Sequence, residues 1–242
     1  MADQAAAADL AADVAAQGAL MATLRKRKAA LDRAVAESSE DTSLLSHFQC
    51  LEQDVVAAVN TAGPGGMNAL HVACLQGSAA DAELLLGVGA DPTAEGDVWD
   101  MPQVGEENRK KWKAFPLYIA AREEEGEGHQ AVVEMLLAHA GVDVNQGTTD
   151  SGATALFIAC QWGSLRVVKM LLACDAIEVN QARTDFGETP LCIACYHGHT
   201  EIVTMLLVRD EIDVNQARTD DGATPLYIAC YKGHTEIVTM LL

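Results

Sequence analysis

The chain has 242 residues, 50% of them hydrophobic and 21% charged, and its 35 acidic against 16 basic side chains leave a formal net charge of -19. That composition suits one large or two small folded cores, and so acidic a surface repels a phosphate backbone, which argues against nucleic acid as a partner. No apolar run is long enough to span a bilayer, and the alanine-rich start carries Asp3, Asp9 and Asp13, unlike a secretory or transit leader. No membrane contact and a cytoplasmic location, with the nucleus as alternative, are therefore expected.

Residues 1–62 form the first segment, read as helical. Leu10, Val14, Gln17, Met21, Leu24, Lys28, Leu31 and Val35 alternate spacings of four and three, a heptad seam interrupted by Gln17 and Lys28 and weakened at Gly18. A second helix is expected after Asp41 or Thr42, with Leu44, Phe48, Leu51, Val55 and Val59 on one face. Two polar seam positions in so short a heptad run favour a cap packed on the neighbouring part of the chain over a dimerising coiled coil. The basic cluster Arg25 to Lys28 is read as a solvated helix face, with a nuclear-import signal as the alternative.

From residue 63 the chain repeats itself. Gly152, Gly187 and Gly222 recur at a step of 35 residues and open "GATALFIACQWGSLRVVKMLL", "GETPLCIACYHGHTEIVTMLL" and "GATPLYIACYKGHTEIVTMLL"; altered versions stand upstream as "MNALHVACLQGSAADAELLL" and "AFPLYIAAREEEGEGHQAVVEMLL". Five units result, near 66–98, 110–148, 149–183, 184–218 and 219–242, each predicted as two short antiparallel helices. In the fourth, Thr189 suits an N-cap, Pro190 the first helical position and Gly198 a left-handed stop. Thr200 and Glu201 then suit the start of a second helix whose apolar face is Ile202, Val203, Leu206 and Leu207.

These motifs closely resemble the ankyrin repeat. Gly187, Thr189, Pro190, Leu191 and Ala194 match its hallmark, as do Gly222, Thr224, Pro225, Leu226 and Ala229, and "ADP" at 90–92 and "DVN" at 213–215 match its usual ending. The resemblance implies an all-α solenoid. Departures are equally specific: the hallmark His survives only as His71, with Tyr118, Phe157, Cys192 and Tyr227 in its place elsewhere, and residues 95–114 enlarge one hairpin tip. Trp99 and Trp112 in that insertion are expected to fold back on the array. The last unit stops at Leu242 without a capping unit, which raises the expectation of a truncated or fragmentary chain.

Chemistry-bearing pairs dissolve on comparison between units. Cys74, Cys160, Cys195 and Cys230 share the position of Ala121, so "CIAC" reads as part of a ladder of small core side chains and not as a metal or redox pair. His199 and His234 hold a recurrent structural position, while His197 is replaced by Trp162 and Lys232 in the flanking units. No phosphate loop or nucleophile motif is present, so no catalytic residue, cofactor, metal or small-molecule substrate is expected.

The resemblance implies instead a non-catalytic scaffold that grips a protein partner with its concave face and hairpin tips. Those positions hold Lys111, Trp112, Asp150, Ser151, Gln161, Trp162, Asp185, Phe186, Glu188, Tyr196, His197, Asp220, Asp221, Tyr231 and Lys232. Trp162, Tyr196 and Tyr231 are expected to form an aromatic column beside a row of Asp, favouring a partner with a basic surface. The alternative is a regulatory ankyrin portion of a larger enzyme or channel. The resemblance also marks Asn145, Asn180 and Asn215 as candidate sites for asparaginyl hydroxylation.

Overall fold

The structure is a computed structural model that describes residues 2–37, 53–99, 111–122 and 126–242. Its elements in chain order are α1 (Ala2–Glu37), α2 (53–60), α3 (Ala69–Gln76), α4 (Ala79–Gly87), β1 (Gly96–Trp99), β2 (Lys111–Ala114), α5 (Pro116–Arg122) and α6 (Glu127–Ala138). They continue with α7 (Ala155–Trp162), α8 (Leu165–Leu172), α9 (Pro190–His197), α10 (Thr200–Leu207), α11 (Pro225–Lys232) and α12 (Thr235–Leu241). From α3 onward consecutive helices pack in pairs, α3 with α4, α5 with α6, α7 with α8, α9 with α10 and α11 with α12.

Local chemistry sets the length of the first helix of most units. Thr154, Thr189 and Thr224 accept the backbone N–H of Phe157, Cys192 and Tyr227 at 3.1, 3.1 and 3.3 Å, the N-cap bond that closes a first turn. After eight helical residues, Gly163, Gly198 and Gly233 take φ of 79°, 77° and 78°, where a Cβ would be strained, and end the helix. Helices this short do not stand alone in water, so their stability comes from the stack. First helices pack in the row α3, α5, α7, α9, α11, and second helices in a parallel row behind them. The core between the rows includes Leu70, Ile119, Leu136, Phe157, Leu171, Leu191, Ile202 and Leu206, all fully buried.

Two sets of polar bonds stitch unit to unit. The Asn145 side chain donates to the Ala176 carbonyl at 2.7 Å and accepts the Glu178 N–H at 2.8 Å, and Asn180 repeats this with Glu211 and Asp213. Asn60 makes the same pair with Gly89 and Asp91, so α2 is joined to the segment after α4 as later units are joined to one another. Second, the ring Nε2–H of His129, His199 and His234 donates to the carbonyl of Leu75, Gln161 and Tyr196 at 3.2, 3.2 and 3.3 Å, reaching back to the preceding first helix.

The helix α1 lies against α3 through the middle of the expected seam, extended by Asp13 and not by its described ends. Leu10 and Lys28 are exposed and Val14 is half-buried, whereas Asp13, Gln17, Met21 and Leu24 are buried. The reason is the loop before α3: the Asp13 carboxylate accepts the N–H of Gly65 at 2.7 Å and of Met67 at 3.2 Å, and Gln17 donates to the Met67 carbonyl at 3.4 Å. Gly63 and Gly65 leave room for that carboxylate, since a Cβ on either would lie 2.4 Å from its oxygens. Of the basic cluster, Arg25 pairs with Asp81 on α4 and Lys26, Arg27 and Lys28 are exposed. Leu44, Phe48 and Leu51, the start of the second helix, and the side chains of Leu31 and Val35 lie outside the described residues. Val59 is buried and Val55 packs beside it, as expected for one face.

The enlarged tip between the first two units is an antiparallel ribbon pairing Gly96 with Ala114 and Val98 with Trp112. His71 anchors it. Its Nδ1 accepts the Asn68 N–H at 3.2 Å, which leaves the proton on Nε2 to be donated to the Ala94 carbonyl at 2.9 Å. Burial holds this imidazole down to a pKa of about 4, so it stays neutral. In the other units the place of His71 is filled differently: Cys192 donates its thiol to the Gln216 carbonyl at 3.8 Å, and Phe157 lies under the Arg183 guanidinium at 5.3 Å.

Candidate protein-binding surface

The candidate residues fall on two adjoining strips: the C-terminal ends of the first helices and the hairpin tips that connect the units. Short helices project their last side chains away from the core, because the glycine stop turns the chain before those residues can be covered. Gln161 and Trp162 end α7, Tyr196 and His197 end α9, and Tyr231 and Lys232 end α11. Ser151, Phe186 and Asp221 lie on successive tips, and the tips hydrogen-bond to one another: Thr184 N–H to the Ser151 carbonyl at 2.8 Å and Thr219 N–H to that of Phe186 at 2.9 Å.

The aromatic column divides by burial. Tyr196 is 40% exposed and Tyr231 is 76% exposed, so both offer ring surface to a partner. Trp162 differs from the expectation: it packs on the core and its indole N–H is buried with no hydrogen-bond partner. The next unit packs against the same helix end, where the His199 ring lies close to Gly163 and bonds the Gln161 carbonyl. Trp112 behaves likewise, packing inward with a buried N–H that has no partner among the described residues, in keeping with a ribbon folded back on the array. The side chains of Trp99 and Lys111 lie outside the described residues.

The row of tip carboxylates is not a bare negative strip. Arg183 binds Asp185, Arg218 binds Asp220 through Nη2 at 2.6 Å, and Glu188 sits between the two guanidinium groups, 3.8 Å from Arg183 and 3.2 Å from Arg218. The hydrogen bond from Arg218 holds the Asp220 carboxyl below its ordinary range, whereas burial outweighs both arginines and holds Glu188 above its own. Phe186, 45% exposed, has both guanidinium groups within 6 Å of its ring, at 5.6 and 5.9 Å. Asp150 and Asp221 remain exposed, while Glu188 is mostly covered and acts in the tip framework. Arg183 and Arg218 were not among the candidates, although "ART" recurs before Asp185 and Asp220.

The α9 and α11 ends have a different character. Lys232 Nζ rests 3.7 Å from the centre of the Tyr196 ring, Tyr196 meets His197 edge-on at 5.0 Å, and His197 stacks on His199 at 5.8 Å. Burial, then the neighbouring His199, Lys232 and His234, push the His197 pKa down. The histidine pair stacks and does not converge, and no group of three or more His, Cys, Asp or Glu among the described residues is arranged to hold a metal. Burial pushes the Cys195 thiol up to about 12, which removes it from thiolate chemistry. Cys230, its counterpart in the last unit, is exposed and departs from the buried ladder.

The asparagines separate in the same way. Asn145 and Asn180 commit both ends of their amides to the next unit, while Asn215 is exposed and makes no side-chain bond among the described residues. No helix among the described residues is long and apolar enough to cross a membrane. Compared with known families, residues 101–183 and 177–242 match the family model described as "Ankyrin repeats (3 copies)", and residues 65–97 match the one described as "Ankyrin repeat". No curated protein matches the chain.

Proposed function

This chain belongs to the ankyrin-repeat family, and we propose that it is a non-catalytic scaffold that binds a protein partner through the first-helix ends and hairpin tips of units three to five. Ankyrin repeats are protein-interaction modules, so the specific content of the proposal is the surface. The observation that carries it is the row of partly exposed aromatic rings, Phe186, Tyr196 and Tyr231, set on rigid elements beside charged groups. Rings held this way bury large area at little rotamer cost, which is what interface anchors need. The tips retain exposed carboxylates at Asp150 and at Asp221, the latter 3.5 Å from Arg218, suited to a basic rim on the same partner.

Affinity capture from native lysate tests this, with the parent chain and a Phe186→Ser, Tyr196→Ala, Tyr231→Ala variant whose helicity is verified by circular dichroism. A protein held by the parent and lost by the variant is the expected result; identical captures would sink the assignment of the surface. Asparaginyl hydroxylation is proposed for Asn145, Asn180 and Asn215, which share one place in successive units. Absence of a mass shift from all three in protein from its native cell would overturn that.

A further inference from the structure

On a chain of net charge -19, basic side chains gather where the exposed tyrosines are. His197, His199, Lys232 and His234 cluster around the ends of α9 and α11, and the charged groups that act on His197 are the other three, with no carboxylate among them. Lys232 is exposed, and among the described residues it makes no ion pair. Its ammonium lies on the Tyr196 face and 6.0 Å from the Tyr231 ring. The tip arginines, only one loop away, are each occupied by their own carboxylates. The array therefore neutralises its arginines at the tips and leaves the Lys232 ammonium without a carboxylate among the described residues, beside imidazoles that can donate an N–H. An ammonium resting on a π face keeps N–H donors turned outward for an acceptor.

We infer that the α9–α11 end of this face is a carboxylate subsite: a protein partner sets an Asp or Glu side chain against Lys232 and His197, while Tyr196 and Tyr231 take the apolar part of the same segment. This rests on the proposed binding surface and gives the partner a chemistry. A carboxylate fits better than a phosphate, because the cluster offers no arginine fork, and the acidic remainder of the chain opposes a dianion more strongly than a single charge.

The probe is a random peptide display library selected on the full-length chain, with selected peptides then measured against variants of verified fold. Enriched peptides should carry Asp or Glu, bind roughly tenfold more weakly to Lys232→Glu, and be indifferent to Lys169→Glu. That control makes the same change of net charge at an exposed position on α8. Equal weakening by both reversals would show only a long-range field and overturn the subsite. Peptides lost on Tyr196→Ala, Tyr231→Ala but without acidic enrichment would overturn it too, while leaving the surface standing. Peptides indifferent to the tyrosines would remove surface and subsite together.

Discussion

The fourth and fifth units carry nearly the same words, "TPLCIACYHGHTEIVTMLL" and "TPLYIACYKGHTEIVTMLL", yet the same positions live in different surroundings. Leu191 and Cys195 are fully buried in the fourth, while Leu226 is half-buried and Cys230 exposed in the fifth. A Cβ on Gly198 would lie 2.5 Å from the His234 ring, whereas around Gly233 there is open space. Burial in this molecule is thus conferred by the following unit and is not a property of the local sequence. At the opposite end, α1 and α2 perform that service for α3 and α4, through Asp13 and Asn60.

The largest effect should separate the two units directly. Leu206→Ala removes a fully buried side chain and should cost about 3 kcal/mol, whereas Leu241→Ala at the matching half-buried place should cost about 1 kcal/mol. Urea unfolding midpoints decide it, and equal losses would break the comparison. At the other end the hallmark histidine makes stability depend on pH. The His71 pKa is about 4 when folded against 6.5 ordinarily, so the unfolded chain binds more protons between these values. Its contribution is whole above pH 6.5 and lost as pH falls toward 4, a swing of about 3 kcal/mol that His71→Gln should remove. Tyr227, at the matching place in the last unit, has no such imidazole, and Tyr227→Gln should leave the acid limb unchanged.

The repeat was legible because one design is written five times: caps, stops and apolar spacing all agree, and each copy corrects the reading of the others. Asp13 was not legible. An acidic residue beside a heptad seam looks solvated, and only the glycine loop at 63–65, which puts two N–H groups at its carboxylate, makes it a buried anchor. The candidate surface was read at the level of position and missed at the level of state. Trp162 occupies the expected place yet packs on the core with its indole N–H buried, and Asp185 and Asp220 on the tips are held by the arginines of the recurring "ART".

Smaller effects sharpen the same contrast. Asp13→Ala should cost about 2 kcal/mol by leaving the Gly65 and Met67 N–H groups without their acceptor. Hydrogen exchange should show those two amides losing protection first. Alanine at either helix stop should cost about 1 kcal/mol for the left-handed backbone. Gly198→Ala should exceed Gly233→Ala by roughly a further 1 kcal/mol, because only the former meets an imidazole ring. Equal costs at the two stops would mean that the His234 ring swings aside freely.

The ring N–H of His129, His199 and His234 completes a helix that ended more than thirty residues earlier. A chain leaving the ribosome therefore carries its newest first helix unfinished until the next unit has emerged, so the order of synthesis becomes the order of completion. A pause in translation placed after Gly198 would hold α9 with its Tyr196 carbonyl still waiting for His234.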